Sequence, residues 1–512
     1  MLENNVWRRV IVCLLALVMV LSCLTLSACK PKSGTQDTPV NPNDPSGPDD
    51  PQEQRIPLDL PERNFGGMEF HVLEWTTAGN ETPGGSNWLP WEEIAVSEED
   101  KDVADVIGTA VWDRNLAVSE KYGVEITREY CAVNDNKFVT AVTNNDKTGD
   151  DAYQMITIRT IQTPSLMQGN YLLNLRDEAY SDIFHFDQPW WVQDALGSFR
   201  LGDALYIASS EILVRDKGAT TAMYFNQNLA ENFGIRDLYD LVRTDDWTLE
   251  KLLEYSAQVT HDDGDDQMNG MGDTWGMTGG NDVIFYLFNG FGQKFADMDE
   301  SGRLQWKFGD NTSVTKIKDV FDFVMYDRGF ANLAIKAEKE SKEWYQLFSS
   351  GHALFDFGLI KDVRNRRSME DNYGILPVPK YDTAQKDYSS LVWMHHDCVL
   401  GIPRAVSDPE MCAMIVEALS YESYYTVYPA FYDVVLMGRS TRDNDSKEML
   451  NYIFNSRSYD PGQFLDTSSF VNRILLLTSS GTSDVTSLWK SYETEVTQNV
   501  VKKLNDWIDK QE

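Results

Sequence analysis

The chain has 512 residues, 42% of them hydrophobic, and its 80 acidic against 45 basic side chains leave a net charge of −35. So acidic a surface argues against nucleic acid and against docking on anionic lipid headgroups. The length suffices for two domains of ordinary size beyond an N-terminal leader, and the apolar content supports a proper core.

Met1 to Arg9 end in Arg8-Arg9, and an apolar run from Val10 to Leu26 follows, broken only by Ser22 and Thr25. The run is shorter than the roughly 20 apolar residues a membrane span needs, and it suits the core of a signal peptide over residues 1–28. Leu26-Ser27-Ala28-Cys29 resembles the bacterial lipobox, in which small residues admit a peptidase and the cysteine thiol takes a diacylglycerol. Removing residues 1–28, with Arg8, Arg9 and Glu3, takes away a net charge of +1 and leaves −36. Residues 29–57 are rich in Pro, Asp, Asn, Gly and Ser, cannot bury enough surface to offset their ordering entropy, and read as a disordered tether. The expected location is the extracellular face of the cell membrane, with the chain held there by lipid on Cys29.

Past the tether, Gly66-Gly67 signals a turn and Met68 to Trp75 reads as the first strand. Val103, Val106, Ile107, Ala110 and Val111 recur at helical spacing, which predicts a helix over Asp102 to Tyr122 capped by Gly123. Val124 to Tyr130 and Gln154 to Ile158 read as strands. Asp246 to Val259 is an amphipathic helix with Thr248 as its expected N-cap. Glu343 to Phe348 reads as a helix and Ala353 to Phe357 as a strand. Cys398 to Ile402 is a strand, and Asp408-Pro409 marks a helix start with Met411, Met414, Ile415 and Ala418 on one face. Strands and helices alternate, so the fold class is α/β with buried, mostly parallel sheets. Cys131, Cys398 and Cys412 form neither a CxxC motif nor an even-numbered framework. Buried thiols are the default, and a single disulfide among them stays open.

Several segments in shared order resemble the bacterial extracellular solute-binding lipoproteins of ABC importers, family 1, sugar-binding type. They are Ala110 to Ile126 (AVWDRNLAVSEKYGVEI), Gln188-Pro189-Trp190-Trp191, Met223 to Ile235 (MYFNQNLAENFGI), Leu238 to Leu252 (LYDLVRTDDWTLEKL), Ser350 to Phe355 (SGHALF) and Tyr373 to Lys380 (YGILPVPK). The resemblance implies a two-lobed type II periplasmic-binding-protein-like fold with a hinge and an interlobe cleft. By analogy, lobe 1 holds residues 58–218 plus 397–455 and lobe 2 holds 219–396 plus 456–512. It further implies a monomer that captures a small solute, expected to be an oligosaccharide, and hands it to ABC permease subunits, with no required cofactor and no bond made or broken.

Sugars present apolar CH faces to aromatic rings and hydroxyls to polar side chains. Trp190 and Trp191 are candidates because adjacent tryptophans after Pro189 sit awkwardly in a core. Trp393 and His395 lie just before a strand, where a crossover would enter the cleft. The His395-His396-Asp397 run suggests metal, but consecutive residues on an extended segment point to opposite sides. Glu211 follows a strand before another crossover and offers a hydroxyl acceptor, while a solvated loop acid is its plainer reading. Asp356, between Phe355 and Phe357, faces away from both. Asp265, Gln267, Asn269 and Asp273 keep the spacing of a structural calcium loop. Met271 stands where an acid is common and no Glu closes the loop, so a solvated acidic loop is favoured there. A secreted glycoside hydrolase and a non-transport surface adhesion lipoprotein are the alternatives, although no nucleophile elbow, HExxH or P-loop is present.

Overall fold

The computed structural model describes residues 55–76, 93–96, 101, 105–132, 137–262, 264, 268, 272–325, 331–333, 344–436, 444–480 and 482–511. All of them belong to one unit, Pro42–Glu512. Its strands in chain order are β1 (Met68–Thr76), β2 (Val124–Ala132), β3 (Met155–Arg159), β4 (Thr221–Asn226), β5 (Trp275–Gly279), β6 (Ala296–Met298), β7 (Leu304–Trp306), β8 (Ala331–Leu333), β9 (Ala353–Leu359), β10 (Tyr373–Leu376), β11 (Ser390–Leu391), β12 (Cys398–Gly401) and β13 (Arg457–Ser458).

Two sheets organise the unit, one ordered β12-β3-β1-β2 and the other β10-β4-β9-β5-β8. In the first, β1 runs parallel to β2, with Phe70 opposite Ile126, and parallel to β3. In the second, β5 runs parallel to β9 and to β8. The expectation of mostly parallel sheets holds for these strands. β12 against β3, and β4 against both β9 and β10, are antiparallel. The reason is topological: β4 and β12 are the strands with which the chain enters each sheet after leaving the other, and they arrive in the reverse direction.

Local chemistry sets the helix ends. Helix α1 (Val106–Tyr122) starts where the Asp105 carboxylate accepts from Gly108 N, and stops at Gly123, whose φ of 64° is the left-handed conformation that glycine tolerates best. Helix α2 (Leu249–Val259) begins after Thr248, which has extended backbone at the N-cap but makes no side-chain cap bond. Helix α3 (Val283–Gly290) is buried throughout and mostly apolar, with the polar Asn289 in its last turn donating to Ser458 Oγ at 3.0 Å. Helix α4 (Pro409–Tyr425) has Asp408 accepting from Met411 N and proline in its first turn. Helix α5 (Val427–Leu436) follows after a break at Thr426.

Each sheet has its own core. Phe70, Val72, Ile156, Ile158, Val399, Leu400, Met414 and Ile415 pack in the first. Met223, Phe225, Met277, Phe285, Leu354, Phe355 and Ile375 pack in the second. The cores part company with the expected lobe boundary near residue 455. Val427, Phe431, Leu450 and Ile453 pack in the second core, because the break at Thr426 redirects the chain. Val500, Leu504 and Ile508 return to the first, where Trp507 meets Tyr206 at 6.2 Å.

Among the described residues, three segments join the sheets side by side. β11 pairs with β13, Thr220 bridges Val392, Val392 N donates to Ser458 O at 2.9 Å, and Trp393 N donates to Ala219 O at 2.9 Å. Cys131, Cys398 and Cys412 are free thiols.

Candidate functional site

In open α/β sheets the carboxyl ends of parallel strands leave a crevice lined by the loops that follow them. Here β1 ends at Trp75-Thr76, β3 at Arg159, β5 at Gly279 and β9 at Leu359. The segments that follow β3, β5 and β9 are Arg159–Thr163, Gly280–Asp282 and Ile360–Arg364. Together with the crossover Trp393–Asp397 they form one constellation drawn from both sheets.

Its contacts are specific. The Trp393 ring stacks on Phe285 with centroids 5.1 Å apart and on His395 at 4.5 Å. The Trp393 indole also acts on the Asp282 carboxyl, which burial pushes up to about 6 against that pull. Lys361 Nζ lies 2.6 Å from His396 Nδ1. The Arg159 guanidinium sits over the Trp75 ring at 5.3 Å. Thr160 ties the crossover to β3 by donating its N–H to Asp397 O at 3.3 Å and its hydroxyl to Asp397 Oδ2 at 2.7 Å. Arg159, Asn281, Asp282, His395 and His396 are half-buried, while Trp393 is buried. Burial lowers His395 to about 4, with Arg159 adding to the effect, so its imidazole is neutral near pH 7.

A charged network holds the crossovers beneath this surface. Arg215 pairs with Glu74 at 2.5 Å and with Glu93 at 2.6 Å, and Glu93 also accepts from Val214 N at 3.0 Å. Arg457 pairs with Asp216 at 2.8 Å, and Lys217 pairs with Glu211 at 2.8 Å. Such pairs are stable only while every member is present, because each alone would be a buried charge.

Of the residues singled out in the sequence, Trp393 and His395 belong to the constellation. Trp190 and Trp191 do not: both are buried in the first core, and their indole N–H groups donate to Glu417 at 2.8 Å and 2.9 Å. Adjacent tryptophans suit a core once one carboxylate accepts from both. Glu211 is buried, paired with Lys217, and lines a small pocket with Pro189, Tyr424, Tyr428 and Arg457. Asp356 faces the Arg366 guanidinium, which lies 3.9 Å from the Tyr224 ring centroid, so its partner is a side chain of its own sheet layer. Asp265, Gln267 and Asn269 lie outside the described residues. Asp273 is buried, and its backbone oxygen lies 3.1 Å from His352 Nδ1. Among the described residues no group of three or more His, Cys, Asp or Glu could hold a metal. Cys29 also lies outside them.

Sequence reasoning passes over Arg159, Asp282 and Lys361, and weighs His396 only as a metal ligand. Their shared signal is position, since each of the first three stands where a short apolar strand ends (QMITIR, WGMTGGND, ALFDFGLIK).

No family model and no curated protein matches the sequence. Solved structures do match. A sugar transporter from Rhizobium etli in an open conformation is 11% identical with a TM-score of 0.53, over 86% of this chain and 99% of that one. An ABC substrate-binding protein from Listeria monocytogenes in complex with cycloalternan is 11% identical with a TM-score of 0.51, over 87% of this chain and 99% of that one. The GacH receptor of Streptomyces glaucescens, solved unliganded and in complex with acarbose, is 13% identical with a TM-score of 0.51, over 85% of this chain and 99% of that one. At such identities the likeness establishes the fold, which is two-lobed and periplasmic-binding-protein-like.

Proposed function

We propose that this two-lobed chain is the solute receptor of an ABC importer and closes its lobes on an oligosaccharide. The observation that carries the reading is the convergence of strand ends from both sheets on the crossover at Trp393–Asp397, where the buried Trp393–Phe285 stack backs His395 and Lys361 meets His396. The half-buried polar side chains of Arg159, His395 and His396 there suit the hydroxyls of a sugar. A solute touching both sheets at once favours the closed arrangement by its differential affinity. The Listeria and Streptomyces structures, in complex with cycloalternan and acarbose, support the same reading.

The lipid on Cys29 and the tether over residues 29–57 complete the proposal. They hold the receptor near its permease, which raises the effective concentration of loaded protein there. Replacing Cys29→Ala should release the protein to the medium, and unchanged membrane retention would count against the anchor.

Titration calorimetry against a panel of neutral and acidic oligosaccharides, with chromatography of the recovered sugars, tests the receptor role. Saturable one-to-one heat with every sugar recovered intact is the expected result. Shorter sugars in the recovered fraction would replace this reading with glycoside hydrolysis. Heat from no sugar would leave surface adhesion as the better account.

A further inference from the structure

Residues 55–65 precede β1, and the first of them alternate. Arg55, Pro57 and Asp59 are exposed, whereas Ile56, Leu58 and Leu60 are half-buried and pack against the first core. A period of two is that of extended backbone, yet the stretch belongs to no strand. Pro57 and Pro61 lack the N–H that a ladder needs.

The stretch lies instead along α4 and runs the opposite way. At the C-terminal end of the helix, Arg55 pairs with Glu422 at 2.8 Å, and its guanidinium sits 4.8 Å from the Tyr425 ring centroid. Ile56 N donates to the Tyr425 hydroxyl at 2.9 Å. At the N-terminal end, Arg63 pairs with Glu410 at 2.9 Å and with Asp408 at 3.5 Å, and its guanidinium lies 5.0 Å from the Phe65 ring centroid. The lengths agree: α4 has 17 residues and is about 25 Å long, and extended chain from Arg55 to Arg63 covers about 26 Å. Phe65 N then donates to Tyr122 O at 2.7 Å as the chain turns into β1.

Exposed ion pairs contribute little alone, so the three apolar side chains supply the hold and the two arginines set the register. Each of these partners lies on α4, at its N-cap or in the first core. Resting on the anchor reading, we propose that residues 55–65 are a strap that fastens the tether to α4 and takes the pull of the lipid into the lobe of the first sheet, leaving the second lobe free to close. The clamp begins at Arg55, inside the stretch that composition assigns to the tether, so the free leash ends before it.

Tryptic digestion of the full chain in isolated membranes tests the strap. A clamped bond must open before it is cleaved, so Arg55–Ile56 should be cut at least about tenfold more slowly than Lys32–Ser33 in the tether. The cut at Lys32 should shed a folded body into the supernatant. Glu422→Gln with Tyr425→Phe removes the counter-ion of Arg55 and the acceptor of Ile56 N, and should speed the Arg55–Ile56 cut by about fivefold or more. Ile56→Ser with Leu58→Ser is the second pair should the first fail to fold by circular dichroism, and a rise of the same order is expected of it. Equal rates at the two bonds in the wild type, or a folded variant cut no faster than the wild type, overturns the strap. A chain absent from the membranes, with Arg55–Ile56 still protected, overturns the anchor and its pull and leaves the clamp on α4 standing.

Discussion

Trp190 donates its indole N–H to Oε1 of Glu417 at 2.8 Å, while Trp191 donates to Oε2 of the same carboxylate at 2.9 Å. The carboxylate is fully buried on α4, and His185 Nδ1 lies 3.2 Å from its Oε1. Glu417→Leu removes the acceptor of two buried donors, each costing about 1–3 kcal/mol when left unmade. We expect a loss of about 2–5 kcal/mol in urea unfolding for Glu417→Leu, and a smaller loss for Glu417→Gln, which keeps one acceptor. A Glu417→Leu protein as stable as the wild type would contradict this. Trp191→Phe should lower stability while leaving sugar affinity unchanged, since its ring is covered by Phe184 and Phe186 at 5.8 Å and 4.8 Å.

The same carboxylate gives stability a pH dependence. Its hydrogen bond raises His185 above the ordinary histidine value, against the opposing effect of burial. A group with a raised folded value binds its proton more tightly in the folded state than in the unfolded chain. Its contribution is therefore complete below the ordinary value of about 6.5 and fades as pH rises through the raised one. The difference in melting temperature between wild type and His185→Gln should be larger at about pH 5.5 than at about pH 8.5. An equal difference at the two values would mean that His185 binds its proton no more tightly in the folded state than in the unfolded chain.

The limits of sequence reading follow from which contacts are local. Gly123, Asp408 and Pro409 act within one turn of their own helix, so the sequence alone shows their roles, whereas Asp105, the N-cap of α1, stands inside the helix that the spacing predicts from Asp102. Thr248 holds its position without making the bond expected of it. Trp190 and Trp191 read as available because their acceptor stands 227 and 226 residues away, on a helix whose own pattern says nothing of its partner. Strand alternation turns Asp356 away from Phe355 and Phe357, but that the far face is also covered depends on Arg366 and Tyr224. Lys361 meets His396 only because the crossover returns past the end of β9.

Arg215 presents a second buried network. Among the described residues it alone carries ion pairs to both Glu74 and Glu93, which are each fully buried. Arg215→Met removes the 2.6 Å ion pair of Glu93 and leaves Glu74 with the Arg128 guanidinium at 3.9 Å, and breaking a buried pair from one side costs about 3–5 kcal/mol. We expect a loss of that order in chemical unfolding, partly restored when Glu93→Gln removes the Glu93 charge. If the double variant is no more stable than Arg215→Met alone, the defect is one of packing and not of charge.

Two glycines make opposite predictions for the same substitution. Gly276 on β5 lies against α2 so closely that a Cβ would stand 2.4 Å from Ser256 O and 2.6 Å from Ser256 Cα. Both are backbone atoms of a helix, so relief requires the helix to shift, and overpacking of that kind costs about 1–3 kcal/mol or more. Gly197 lies within the helix Gln193–Phe199, where a Cβ meets nothing within 4 Å. Alanine there restricts the unfolded chain at no steric cost and should stabilise by about 0.4–1 kcal/mol. Urea denaturation of Gly276→Ala and Gly197→Ala should therefore move the midpoint down and up respectively. A Gly276→Ala midpoint equal to wild type would show that α2 packs more loosely on β5 than these distances allow.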